Sequence, residues 1–235
     1  MILLFRLDAL RHEVRILGPI LFIIPLTVAL AMAAFTAMMF VGQVDHTFIS
    51  NLLIGTLEAL LPLVVGILLA RTAIQDASLE LLLTVKTPYR YVMLRRCALL
   101  LVWTMLVEVG ATIALYVFLP WVPREPFLQG QLTWLSPLLW FAAIGIMGAL
   151  LLRSQVNCVA LFASVWLIEL TFHSYFTKYN WLQPWFLPAT LFAPKTPFWL
   201  INRIELLLTA LILSIAAWFY LRHPEWRFRS EEDKA

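Results

Sequence analysis

Three glutamates, Glu58, Glu108 and Glu169, stand inside long apolar runs of this 235-residue chain. An ionised group at the centre of a bilayer costs about 2.5–3.5 kcal/mol on insertion scales, so each must face protein or water rather than lipid. Two chemistries are open to them: a polar lining for a path across a membrane, or hydrogen bonds between helices. For Glu108, near the middle of its run, the two stand level. For Glu169, close to His173, and for Glu205, two residues from Arg203, hydrogen bonding between helices is the simpler reading.

A second feature lies between apolar runs. The segment Arg71-Thr-Ala-Ile-Gln-Asp76-Ala-Ser78-Leu79-Glu80-Leu-Leu82-Leu83-Thr84 continues through Lys86 and Pro88 to Arg90. Asp76 or Ser78 can cap a short helix, and Glu80 then sits near its positive N-terminal end. Leu79, Leu82 and Leu83 would form a narrow apolar face, and Pro88 ends the helix. The spacing predicts an amphipathic helix of about two turns.

Other chemistry is missing from the sequence. A phosphate-binding loop needs a glycine-rich turn leading to Gly-Lys-Ser/Thr, and the eight glycines are dispersed. There is no His-Glu-x-x-His and no Gly-x-Ser-x-Gly; the four histidines, at 12, 46, 173 and 223, are far apart. Cys97 and Cys158 have no metal-ligand neighbours, so free thiols are expected. The chain reads as non-catalytic, binding no metal or cofactor of its own.

The elements that must position these residues are set by composition. Hydrophobic residues make up 62% of the chain, charged residues 13%, and the mean hydropathy is +0.87. Soluble domains carry about 25% charged residues, so the expected class is an all-α polytopic membrane protein. One transmembrane domain is expected over 1–235: a surface helix at 1–17, a six-span bundle at 18–221 and a tail at 222–235. The predicted spans are 18–41, 52–71, 97–119, 134–152, 155–172 and 199–221. Before them, Leu3, Leu4, Leu7, Leu10, Val14 and Leu17 share one helical stripe. Arg6, Arg11 and Arg15 would reach lipid headgroups from this interfacial helix. Its mixed charge is unlike a signal peptide, and the uncharged run that follows is too long for one. Arg153-Ser154 alone separates the fourth and fifth spans, so they form a tight hairpin. Gly110-x-x-x-Ala114 and Gly145-x-x-x-Ala149 offer small-residue seams for helix packing. The stretch from His173 to Trp199 is rich in aromatics and carries Pro184, Pro188, Pro194 and Pro197. It predicts short helical pieces at the outer interface and no seventh span.

Basic residues give the orientation. Arg6, Arg11, Arg15, Arg71, Lys86, Arg90, Arg95, Arg96, Arg153, Arg222, Arg227, Arg229 and Lys234 fall on one side, thirteen of seventeen. Arg124, Lys178, Lys195 and Arg203 fall on the other. Both termini are therefore expected in the cytoplasm, most simply at a bacterial inner membrane. The net charge of +3 is spread along the chain, with no basic stripe for nucleic acid.

The order of features resembles the permease subunits of the ABC-2 family of ABC transporters. The shared features are the surface helix, six spans with cytoplasmic ends, and Gln75-Asp-Ala-Ser-Leu-Glu80-Leu-Leu-Leu-Thr84 followed by Arg90–Arg96. Leu151-Leu-Arg-Ser-Gln155 and Leu200-Ile-Asn202-Arg203 are softer matches, and Lys86 departs from the proline that many members carry after the leucine run. The resemblance implies an exporter subunit whose coupling helix, Asp76, Ser78, Leu79, Glu80, Leu82 and Leu83, docks on a separate ATPase. ATP and Mg would then be bound by that partner. A second permease subunit, identical or similar, would complete a dimer, and Glu58, Glu108 and Glu169 are the candidate pathway residues. Two alternatives remain: a haem-exporter-like permease of cytochrome c maturation, and an ATP-independent carrier or scaffold.

Overall fold

A computed structural model of the chain describes residues 13–74, 89–118, 127–193 and 196–222. The proposed coupling residues Asp76, Ser78, Leu79, Glu80, Leu82 and Leu83 lie outside the described residues, as do Arg6, Arg11 and the charged tail from 223. Every regular element among the described residues is helical.

After a helical turn at residues 13–17, α1 spans Pro19–Val41 and α2 spans His46–Ile74. Next come α3 (Tyr89–Phe118), α4 (Phe127–Leu152) and α5 (Gln155–Thr171). A short helix α6 (His173–Lys178), a 3-10 turn at Gln183–Trp185 and α7 (Ala189–Phe192) lead into α8, Trp199–Tyr220. Among the described residues, α1, α2, α3, α4 and α8 are long and apolar enough to cross a membrane. The molecule is an all-α integral membrane protein.

The helices differ from the predicted spans in instructive ways. The fifth predicted span, 155–172, is a helix of 17 residues, which at 1.5 Å per residue reaches only about 25 Å. Five helices therefore meet the length of a full span where six were expected. Helices α2, α3 and α4 begin six to eight residues before their predicted starts, because a helix does not stop where hydrophobicity does. The hairpin at Arg153-Ser154 is as tight as expected. Arg153 takes a left-handed φ of 51°, and Ser154 caps α5 by accepting from the Asn157 N–H at 3.4 Å.

The core is built on α4, which packs between α2 and α8. Its approach to α2 is backbone against backbone: a Cβ on Gly145 would fall 2.4 Å from the Gly66 carbonyl oxygen, and one on Gly66 2.9 Å from that of Phe141. Only glycine fits there, and Ala149 extends the seam as a buried residue. The other small-residue pair behaves differently. Gly110 has nothing within 4 Å of its Cβ direction and, like Ala114, is exposed, so it packs against no helix of this chain among the described residues.

Ahead of α1, Glu13 is buried and binds two arginines near the start of α3. Arg95 Nη2 contacts one carboxylate oxygen and Arg96 Nε donates to the other at 2.6 Å. Arg15, beside it, is exposed. Trp103 Nε1 donates to the Phe22 carbonyl at 2.8 Å, holding α1 against α3.

Candidate functional site

The buried carboxylates fall into two kinds. Glu58 sits in α2 within a π-helical turn, Thr56–Leu60, where the Leu61 N–H bonds back to the Thr56 carbonyl. The sequence contains the cause. Pro62 has no N–H for the Glu58 carbonyl four residues earlier, and its ring collides with that carbonyl in a regular helix. The extra residue of a π turn relieves the conflict, and such turns concentrate at functional sites.

Glu58 is wholly buried, yet both of its carboxylate oxygens have partners. Thr190 N–H donates to Oε1 at 2.7 Å and Leu191 N–H to Oε2 at 3.0 Å. Arg203 Nη2, one turn into α8, forms an ion pair with Oε1. The same guanidinium donates to Thr190 Oγ1 at 3.0 Å and to the Leu187 carbonyl at 3.1 Å. Trp199 Nε1 donates to Thr190 Oγ1 at 2.8 Å, and the Trp199 ring lies 5.6 Å from the Arg203 guanidinium. One turn of chain at 187–191 is thus held by its own backbone groups.

Glu169, near the end of α5, accepts from the Leu187 N–H at 3.2 Å. Asn202 Nδ2 donates to the carbonyls of Gln183 at 2.6 Å and Phe186 at 3.0 Å. Four buried polar side chains from three helices, Glu58, Glu169, Asn202 and Arg203, therefore clamp the segment 183–191 onto the bundle. Prolines 184 and 188 break that segment into pieces too short to satisfy their own backbone, and these side chains supply what is missing. Phe186 and Leu187, both fully buried, fill the space beneath.

Glu108 is of the other kind. It lies in α3 with an exposure of 0%, and neither carboxylate oxygen has a hydrogen-bond partner among the described residues. Thr104 and Thr112, one turn to either side, are buried with it. Thr104 returns its hydroxyl to the Leu100 carbonyl at 2.9 Å, while Thr112 Oγ1 is unpartnered. The three continue the buried stripe of Met93, Cys97 and Leu100, so the inward face of α3 turns from apolar to polar along its length.

The sequence placed these three glutamates inside apolar helices, but it did not bring Glu58 and Glu169 together on one segment. It also missed Arg203. Counted there only among the basic residues of the outer side, Arg203 is among the most completely buried side chains of the described residues. The available signal was Asn202-Arg203 at the start of an apolar run, 145 residues from a carboxylate inside another. No group of three or more His, Cys, Asp or Glu able to hold a metal occurs among the described residues. Both cysteines are free and buried. Compared with family models, with curated proteins and with solved structures, the chain matches none.

Proposed function

We propose that this chain is the membrane-spanning permease subunit of an ATP-driven exporter, built with six spans and working as a dimer with a separate ATPase. The observation that carries the reading is the segment Asp76–Thr84, a capped, leucine-faced helix pattern held between α2 and the basic start of α3. Around it stand the features that the ABC-2 resemblance requires in the same order. The helical turn at residues 13–17 is tied through Glu13 to Arg95 and Arg96, near the start of α3. The α2 helix is continuous from His46 to Ile74, so it connects the proposed coupling segment to the Glu58 clamp. ATP and Mg belong to the partner, both termini face the cytoplasm, and the short α5 completes the sixth crossing together with α6.

The mechanism is mechanical. Closure of two ATPases displaces the docked segment, and α2 carries the displacement towards residues 183–191. Only binding energy that differs between the closed and open states can shift that equilibrium. To test the assignment, the chain is co-purified with the ATPase encoded beside it, as wild type and as Leu79→Ala/Glu80→Ala/Leu82→Ala. The wild type retains the ATPase and the triple variant loses it; equal retention by both would remove the coupling role from this segment. The unpartnered Glu108 favours one second reading, an ATP-independent carrier, for which no encoded ATPase would associate with either form.

A further inference from the structure

Four carboxyl groups, on Glu13, Glu58, Glu108 and Glu169, are buried among the described residues, and three of them are met by donors from the chain itself. A buried carboxylate left without donors costs far more than one that is hydrogen-bonded, and proteins keep such groups where a ligand or substrate supplies the missing contact. Glu108 is in that position. It is 0% exposed, both of its oxygens lack a partner among the described residues, and the Thr112 hydroxyl one turn along is also unpartnered. Met105, Val109, Ala111 and Leu115, on either side of the same helix, are apolar and partly buried against the core.

From this arrangement we infer that Glu108 is the recognition point for a cationic amphiphile, a molecule with an apolar body and one protonated amine. The inference rests on the pathway reading above and adds the class of cargo. A metal ion is a poor match. It needs several oxygen, nitrogen or sulfur ligands converging on one point, and no cluster of three or more ionisable ligands exists among the described residues. An anionic cargo is repelled by the carboxylate, and a purely apolar one leaves both oxygens unanswered. A primary ammonium offers three donors, enough for both Glu108 oxygens and the Thr112 hydroxyl. The flanking methionine, valine and leucine accept the apolar body. Sites for small molecules follow this pattern of apolar walls with a few placed polar groups.

The test uses the chain alone in detergent, without any ATPase, so its outcome is independent of the coupling assignment. Dansylcadaverine, an apolar fluorophore on a primary amine, is titrated into wild type and Glu108→Gln, alongside its neutral N-acetylated form. Wild type shows saturable binding of the amine, weakened about tenfold or more in Glu108→Gln, the scale of losing a charge-assisted contact. The acetylated form binds both weakly and equally. Equal affinity of the amine for the two proteins, or equal binding of the acetylated form, overturns the proposal. Should Glu108→Gln fail to elute as a folded species, wild type alone decides. A hydrophobic carbodiimide modifies Glu108, located by peptide mass spectrometry, and saturating dansylcadaverine protects it. Modification unaffected by the amine contradicts the assignment.

Discussion

Glu58 and Glu108 are the same residue type at the same degree of burial, and the chain treats them in opposite ways. Glu58 receives two backbone N–H groups and an arginine, and Arg203 in turn reaches Thr190 and the Leu187 carbonyl. Glu108 receives no donor from the described residues. A satisfied buried charge is a structural element whose loss is costly; an unsatisfied one is a standing cost retained for another purpose. The first, with Arg203, ties residues 187–191 to α2 and α8. The second marks the place on α3 where the proposed ligand would contribute most.

The comparison predicts stability changes of opposite sign. Arg203→Ala has the largest effect, because it strands the Glu58 carboxylate and frees the Leu187 carbonyl: a loss of about 3–5 kcal/mol, read by reversible unfolding in mixed micelles. A loss below about 1 kcal/mol would mean that the clamp is not what holds this segment. Glu108→Leu removes an unpartnered carboxyl and leaves an apolar side chain of similar size, so the protein gains about 1–3 kcal/mol in the same assay. Destabilisation by that substitution would show that Glu108 has structural partners and would dissolve the contrast. Glu169→Gln sits between the two. The amide keeps an acceptor for the Leu187 N–H, so the expected loss is about 0.5–1.5 kcal/mol, the scale of one weakened hydrogen bond.

Much of the fold was legible because one physical rule dominates it. In a bilayer the backbone must satisfy itself, so long apolar runs become helices, and the predicted starts at 18, 155 and 199 fall within a residue of Pro19, Gln155 and Trp199. The early starts of α2, α3 and α4 were not legible, since hydropathy marks the oily middle of a helix and is silent on its polar ends. Gly145-x-x-x-Ala149 packs as read, whereas Gly110-x-x-x-Ala114 does not, because small residues permit a close approach without saying which face turns inward. The clamp was the hardest part. Its partners are separated by more than 130 residues between Glu58 and Thr190, and the donors from Leu187, Thr190 and Leu191 are backbone N–H groups, which carry no sequence signature. The burial of Arg203 was hidden for a related reason: a charge near a helix end reads as solvated unless its partner is known.

The proposed role is that of a subunit supplying a path and a lever while a separate ATPase hydrolyses ATP. It is tested most directly by the hydrolysis rate of an ATPase encoded beside the chain, measured alone and with the chain in nanodiscs. The account predicts a rate raised by the wild-type chain and returned to the ATPase-only value by Leu79→Ala/Glu80→Ala/Leu82→Ala, in a variant that remains folded. A rate untouched by the wild-type chain, or raised equally by the triple variant, would contradict it.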